Sequence, residues 1–102
     1  MKAKDAKAKF RQTKEWKTFR IKIAEKQDNK DIITGKPLRK CYNCHHLDMS
    51  AENYDQLTEE NFIAINKQTH ETLHFLFRYY QKDPTILDRL KTILDRMNEL
   101  NK

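Results

Sequence analysis

The sequence is poor in the residues that interrupt secondary structure and in those that cross-link a fold. It contains one glycine, two prolines and two cysteines among 102 residues. Two cysteines are too few for a disulfide framework, so we expect Cys41 and Cys44 to be reduced and buried. The clearest turn signal is the Gly-Lys-Pro segment at residues 35–37, which holds the one glycine.

Long apolar runs are also missing. No stretch approaches the roughly 20 residues that span a bilayer, and the mean hydropathy is −1.01. The charged N-terminus is followed by no apolar segment, so no secretory signal is predicted. These features predict a cytoplasmic protein without a membrane partner. Five Phe, four Tyr and one Trp still supply enough apolar surface for a small core.

Positive charge is concentrated in the first part of the chain. Residues 1–40 hold 14 Lys or Arg against 5 acids, whereas residues 41–102 hold 7 against 10. A basic segment of this kind is suited to neutralising phosphates, which makes a polyanionic partner a reasonable expectation. A solvated basic helix explains the charge alone equally well.

The predicted fold class is α+β, mostly helical, in a single domain spanning residues 1–102. The N-terminal region, 1–30, should form a basic helix over residues 3–27, because Trp16, Phe19 and Ile23 recur at helical spacing. A strand–loop–strand–helix core is expected over residues 38–80. Its predicted parts are an extended segment over 39–47, a polar loop over 48–60, a strand over 62–65 and a helix from 66–69 to about 81.

A last amphipathic helix is predicted over residues 83–100, with Asp83 as N-cap and Pro84 at the first helical position. Its apolar residues recur at alternating spacings of 4 and 3, as in a heptad seam. We expect this seam to pack within the monomer, and a homodimer contact is the alternative. The seam residues are Ile86, Leu90, Ile93, Met97 and Leu100.

All four histidines fall into two tight pairs. His70 and His74 lie four residues apart on the predicted helix, so their rings share one face and can bind one metal ion. His45 and His46 are adjacent on an extended segment, where side chains alternate in direction. One of these two can therefore complete a three-histidine site, while its neighbour stays free to accept a proton.

The spacing HH-x14-N-x8-H-x3-H, which adds Asn61 to the histidines, resembles the ββα-metal motif of the HNH endonucleases and is similar to that of the DNase-type colicins. The resemblance covers about residues 41–77. It implies that His45, His70 and His74 hold one divalent metal ion, with Mg, Mn, Ni, Co and Zn as candidates. It also implies that His46 is the general base, and that the Asn61 amide bonds to the backbone and braces the loop between the strands.

The resemblance further implies a DNA substrate, and a small phage or bacterial protein acting in a bacterial cell or an infected host. Beyond DNA, a phage or bacterial protein is an alternative partner to the homodimer. The basic residues are expected to grip the DNA backbone without reading sequence. The expected DNA contacts are Arg11, Lys14, Lys17, Arg20, Arg39, Lys40 and Lys67.

Two features depart from the family pattern. The colicin nucleases carry an acid two positions before the histidine pair, where this chain has Asn43. Many other HNH proteins have two Cys-x-x-Cys pairs around a structural zinc, and this chain has one, Cys41 and Cys44.

The competing hypothesis is a non-catalytic nucleic-acid-binding protein with a structural Cys2His2 zinc site. Cys41 and Cys44 would then join His70 and His74. The intervening stretch of 25 residues is about twice the usual 12 of such fingers, and this hypothesis gives no role to His45, His46 or the Asn between the pairs.

Overall fold

A computed structural model of the chain describes residues 3–49 and 55–102. Its four α-helices and two short strands form an α+β, mostly helical fold, which confirms the predicted class. Residues 50–54 of the predicted loop lie outside the described residues. The elements are α1 (Ala3–Phe10), α2 (Lys14–Lys26), β1 (Asn43–His46), a 3-10 turn (Glu59–Asn61), β2 (Phe62–Ile65), α3 (Lys67–Lys82) and α4 (Ile86–Leu100).

The predicted single basic helix is wrong, because the chain breaks at residues 11–13 into α1 and α2. Thr13 causes the break. Its backbone is extended and its hydroxyl accepts a hydrogen bond from the Trp16 N–H at 3.2 Å, as an N-cap residue does. The same hydroxyl donates to the Phe10 carbonyl at 2.7 Å, which ties the end of α1 to the start of α2.

The end of α2 matches the predicted break after residue 27. Asp28 and Asn29 adopt left-handed backbone conformations, with φ of 55° and 58°. Asp and Asn tolerate this region better than other residues with a side chain, so they end the helix where glycine is more usual. The Asn29 N–H then donates back to the Ala24 carbonyl at 2.9 Å.

The two strands pair antiparallel in the order β1–β2. The register places Cys44 opposite Ala64 and His46 opposite Phe62. Because neighbouring residues of a strand point to opposite faces, Cys44 and His46 share one face and His45 lies on the other. Both strands lie where the sequence predicted extended structure, and β2 has the predicted bounds.

The core lies between α2 and the sheet. Phe19, Ile23 and Ala24 of α2 pack with Phe62 and Ala64 of β2, and Trp16 contacts this cluster from its edge. The Phe19 and Phe62 rings meet edge to face with centroids 4.9 Å apart, a favoured aromatic geometry. The apolar face predicted from the spacing of Trp16, Phe19 and Ile23 is therefore the face of α2 that packs against the sheet.

Gln27 closes the free edge of β2 in place of a third strand. Its side-chain oxygen accepts from the Ala64 N–H at 2.9 Å, and its side-chain nitrogen donates to the Ala64 carbonyl at 2.8 Å. The same nitrogen donates to the Lys30 carbonyl at 2.8 Å. Since Ala64 is fully buried, its N–H depends on this amide, and its carbonyl is shared between this amide and the Ile32 N–H at 3.4 Å.

The chain divides into two compact units, Met1–His70 and Glu71–Lys102, with the boundary inside α3. The predicted start of the last helix is too early, because α4 begins at Ile86, two residues after Pro84, the predicted first helical position. Asp83 instead closes a turn ahead of the helix. Its carboxylate accepts from the Thr85 N–H at 3.0 Å and from the Thr85 hydroxyl at 2.6 Å.

The expected packing of the α4 seam within the monomer is wrong for its second half. Ile93, Met97 and Leu100 are 59%, 54% and 66% exposed. None of the described residues buries any part of α4 fully, so this helix presents an apolar stripe on its surface. None of the described helices is both long enough and apolar enough to cross a membrane.

We predict that Gln27→Ala lowers the free energy of unfolding by about 1–3 kcal/mol, because it leaves the buried Ala64 N–H without the acceptor it has in Gln27 and leaves the Ala64 carbonyl with the longer bond from the Ile32 N–H at 3.4 Å. Urea denaturation at neutral pH measures this. Gln81→Ala at an exposed position of α3 is the matched control and should change stability by less than about 0.5 kcal/mol. Equal effects of the two substitutions would contradict the role of Gln27.

Candidate metal centre

His45 and His70 come together from the sheet and the following helix. His45 lies on the face of β1 opposite the α2 core, and His70 lies in the first turn of α3. Their ring centroids are 5.0 Å apart and the rings meet edge to face. Both residues are half-buried, so their imidazoles are partly screened from water.

His74 follows one turn later on the same helix and completes the group. Within the described residues, His45, His70 and His74 each offer a nitrogen atom, and these atoms all lie within 4.8 Å of one another. In a tetrahedral zinc site with bonds of 2.0–2.1 Å, ligand nitrogens are about 3.3 Å apart. Small rotations of the rings would therefore bring the three donors to metal-binding distances.

A buried acceptor lies on the same face of β1 as His45. The side-chain oxygen of Asn43 is enclosed and, within the described part of the chain, accepts no hydrogen bond. Residues two apart on a strand share a face, so this oxygen lies on the histidine side of the sheet. Ligand histidines commonly donate their second ring N–H to such an acceptor, and the three imidazoles together with this oxygen fit a divalent metal site.

His46 is held apart from that group. It points to the core face of β1, where its ring stacks on Phe62 with centroids 4.2 Å apart and planes 7° apart. Of the two adjacent histidines, His45 is thus the one that joins the helix pair. The stacking fixes the plane of the His46 ring while leaving the residue half-exposed.

Asn61 braces the end of the hairpin through its main chain. Its carbonyl accepts from the Leu47 N–H at 2.7 Å, directly after β1, and its own N–H donates to the Thr58 carbonyl at 2.9 Å. The Asn61 side chain is exposed, and the predicted bracing by its amide stays a prediction.

Neither cysteine belongs to the histidine group among the described residues. Cys44 packs against the α2 core, on the opposite face of β1 from His45. Burial raises the pKa of the Cys44 thiol to about 12, with Arg20 opposing the shift, so the thiolate that zinc requires is disfavoured. Cys41 is exposed and Cys44 is half-buried, which corrects the expectation that both cysteines are buried.

One predicted DNA contact has a structural partner. The Arg20 guanidinium donates to the Tyr42 carbonyl and lies 4.0 Å from the centroid of the Tyr42 ring. The Tyr42 hydroxyl donates in return to the Arg20 carbonyl at 3.0 Å. Arg20 therefore ties α2 to the start of β1, a role that the sequence analysis missed.

The other predicted DNA contacts are exposed, and two of them are brought together. The side-chain oxygen of Asn66 accepts from the Arg39 N–H at 2.7 Å, and its side-chain nitrogen donates to the Pro37 carbonyl at 3.1 Å. This places Arg39 beside Lys67, the first residue of α3 and one turn before the histidines. Lys40 follows Arg39 directly, whereas Arg11, Lys14 and Lys17 lie at the α1–α2 break and on α2.

Asp31 is a buried acid, only 1% exposed, to which the sequence patterns assign no role. Its carboxylate accepts from the N–H groups of Ile33, Thr34 and Asn66 at 2.8, 3.0 and 2.9 Å. Burial alone would raise the pKa of Asp31, but these hydrogen bonds and one from the Thr69 side chain outweigh it and lower the pKa below its usual range. The available signal was an Asp followed at three and four positions by Thr and Gly, a turn-forming pattern.

Comparison with family models, curated proteins and solved structures finds no significant match to this chain.

We predict that a thiol-reactive reagent labels native Cys41 at least about 100-fold faster than Cys44, because partial burial raises the pKa of the Cys44 thiol and keeps it protonated. Mass spectrometry of samples quenched over time gives the two rates, and both thiols should react alike in urea. Added zinc should leave the Cys41 rate unchanged. Protection of both cysteines by zinc would instead support the Cys2His2 site.

Proposed function

We propose that this protein is a metal-dependent DNA endonuclease of the HNH type. The observation that carries the proposal is the convergence of His45, His70 and His74 within 4.8 Å, with His46 on the adjoining strand position but on the other face. The separation of His46 from the other three histidines matches the roles that the motif spacing implies, one general base and three metal ligands. The absence of any cysteine from the described histidine group argues against the structural zinc finger.

His45, His70 and His74 would hold one divalent metal ion. Three imidazoles favour Zn, Ni or Co in affinity, whereas Mg or Mn would be favoured by abundance in the cell. When bound, the ion supplies Lewis-acid polarisation of the scissile phosphate and stabilises negative charge on the leaving 3′ oxygen.

His46 would act as the general base. An imidazole nitrogen accepts a proton from water as the water oxygen bonds to phosphorus and the bond to the 3′ oxygen breaks. The products are a 5′ phosphate and, once the leaving 3′ oxygen takes a proton from solvent water, a 3′ hydroxyl; His46 returns its proton to solvent. Stacking on Phe62 at 4.2 Å supports this role, because a base held in one ring plane loses little orientational freedom when it reacts.

The basic residues near the start of α3 would hold the DNA backbone. Arg39 and Lys67 lie together there, and both are exposed. Contacts from such side chains to phosphates position the duplex without reading its sequence. The exposed seam of α4, with Ile93, Met97 and Leu100, is available to a second copy of the chain or to another protein.

The decisive test is a plasmid relaxation assay with EDTA-treated protein, to which Mg, Mn, Ni, Co or Zn is returned. We expect metal-dependent conversion of supercoiled plasmid to nicked or linear forms. His46→Ala should cleave at least about 100-fold more slowly, the contribution of a general base, and should still bind the metal. Failure of every metal to restore cleavage by the wild-type protein would reject the nuclease.

A second prediction concerns DNA binding in the presence of EDTA. Lys67→Ala should flatten the slope of log K against log salt concentration by about 0.9, the value for one lost phosphate contact. Lys82→Ala is the control, because Lys82 lies at the other end of α3, about 22 Å along the helix axis. Fluorescence anisotropy of a short duplex at several salt concentrations measures both slopes, and equal slopes would count against an interface at the start of α3.

A further inference from the structure

The start of α3 is fixed by polar contacts. No residue of this helix is buried, so apolar packing does little to place it. Asn66, the single residue between β2 and α3, receives the His70 N–H on its carbonyl at 2.9 Å. Its own N–H donates to the buried Asp31 carboxylate at 2.9 Å. Asp31 and His70 are therefore joined through one residue.

The carboxylate also organises the loop that faces this turn. One Asp31 oxygen accepts from the N–H groups of Ile33 and Thr34, and the other accepts from Asn66. The Asp31 carbonyl accepts from the Gly35 N–H at 2.8 Å, and the positive φ of Gly35, 73°, allows the tight turn. The loop at residues 33–35 and the start of α3 are therefore both held by Asp31.

The Asp31 side chain is the acceptor in every hydrogen bond described for it. An ionised carboxylate is an acceptor at both oxygens, whereas an amide presents two N–H groups at one end. An Asn of the same shape would therefore turn a donor toward at least one backbone N–H. A buried backbone N–H that faces another donor is left without an acceptor, which is costly. This position is therefore suited to Asp and poorly suited to Asn, its nearest isostere.

We propose that Asp31 is a positioning residue for the metal site, because its carboxylate sets the first turn of α3 so that His70 meets His45. The inference rests on the proposed function, since it requires that the three histidines bind a metal ion. Asp31 acts through Asn66 and is not a ligand. Loss of outer-shell partners that orient ligands typically weakens metal binding 10–100-fold, and we expect an effect of this size.

The test is equilibrium binding of Ni²⁺ and Zn²⁺ to the full chain, measured by competition with a chromophoric chelator. Asp31→Asn is compared with Ile23→Val, a substitution in the α2 core. Circular dichroism first identifies a temperature at which both variants remain folded. We expect Asp31→Asn to weaken metal binding at least 10-fold and Ile23→Val to change it less than twofold.

Thr69→Val supplies a milder variant should Asp31→Asn fail to fold. It removes the side-chain hydrogen bond that α3 itself gives to Asp31 and leaves the backbone donors in place. We expect metal affinity to fall about threefold, which is less than the loss of at least 10-fold expected for Asp31→Asn.

The outcomes separate the inference from the function on which it rests. Metal binding by the wild-type protein that is unchanged in folded Asp31→Asn, or in Thr69→Val where Asp31→Asn does not fold, would overturn the positioning role and leave the metal site intact. Equal weakening in Asp31→Asn and Ile23→Val would also overturn it, because general destabilisation would then suffice. Absence of binding in the wild-type protein would overturn both proposals.

Discussion

The alternation of side chains along β1 is the constraint on which the rest of the structure depends. This strand has four residues, and it serves both the core and the histidine group. Cys44 faces α2 and joins the core, while His45 faces away and meets His70. A shift of one residue in the register would exchange these faces and place His46 in the histidine group. The pairing of β1 with β2 therefore maintains both the packing and the separation of the two adjacent histidines.

Hydrogen bonds from a few polar side chains hold the secondary-structure elements in place beside a small core. Six buried hydrophobic residues make up the core of the described chain, which is little for a domain of this size. Gln27 holds the edge of β2, and Asp31 with Asn66 holds the start of α3. Each anchor satisfies backbone groups that burial or helix geometry would leave without partners.

Much of this arrangement followed from residue patterns. The apolar run at residues 62–65 predicted β2, and the spacing of His70 and His74 predicted that they share a helix face. Local propensity could not reveal contacts between distant residues, such as Arg20 with Tyr42. The break at Thr13 was missed because an N-cap acts without glycine or proline. The exposure of the α4 seam was missed because periodicity shows which face is apolar and not what covers it.

The proposed metal site consists of three histidines and includes no cysteine. Titration with Co²⁺ followed by absorption spectroscopy tests it most directly, because thiolate ligands add an intense near-ultraviolet charge-transfer band that imidazoles do not. We expect one Co²⁺ per chain, no such band, the same spectrum in Cys44→Ser, and loss of binding in His70→Ala. A charge-transfer band that disappears in Cys44→Ser would rule out the three-histidine site and support the structural zinc site.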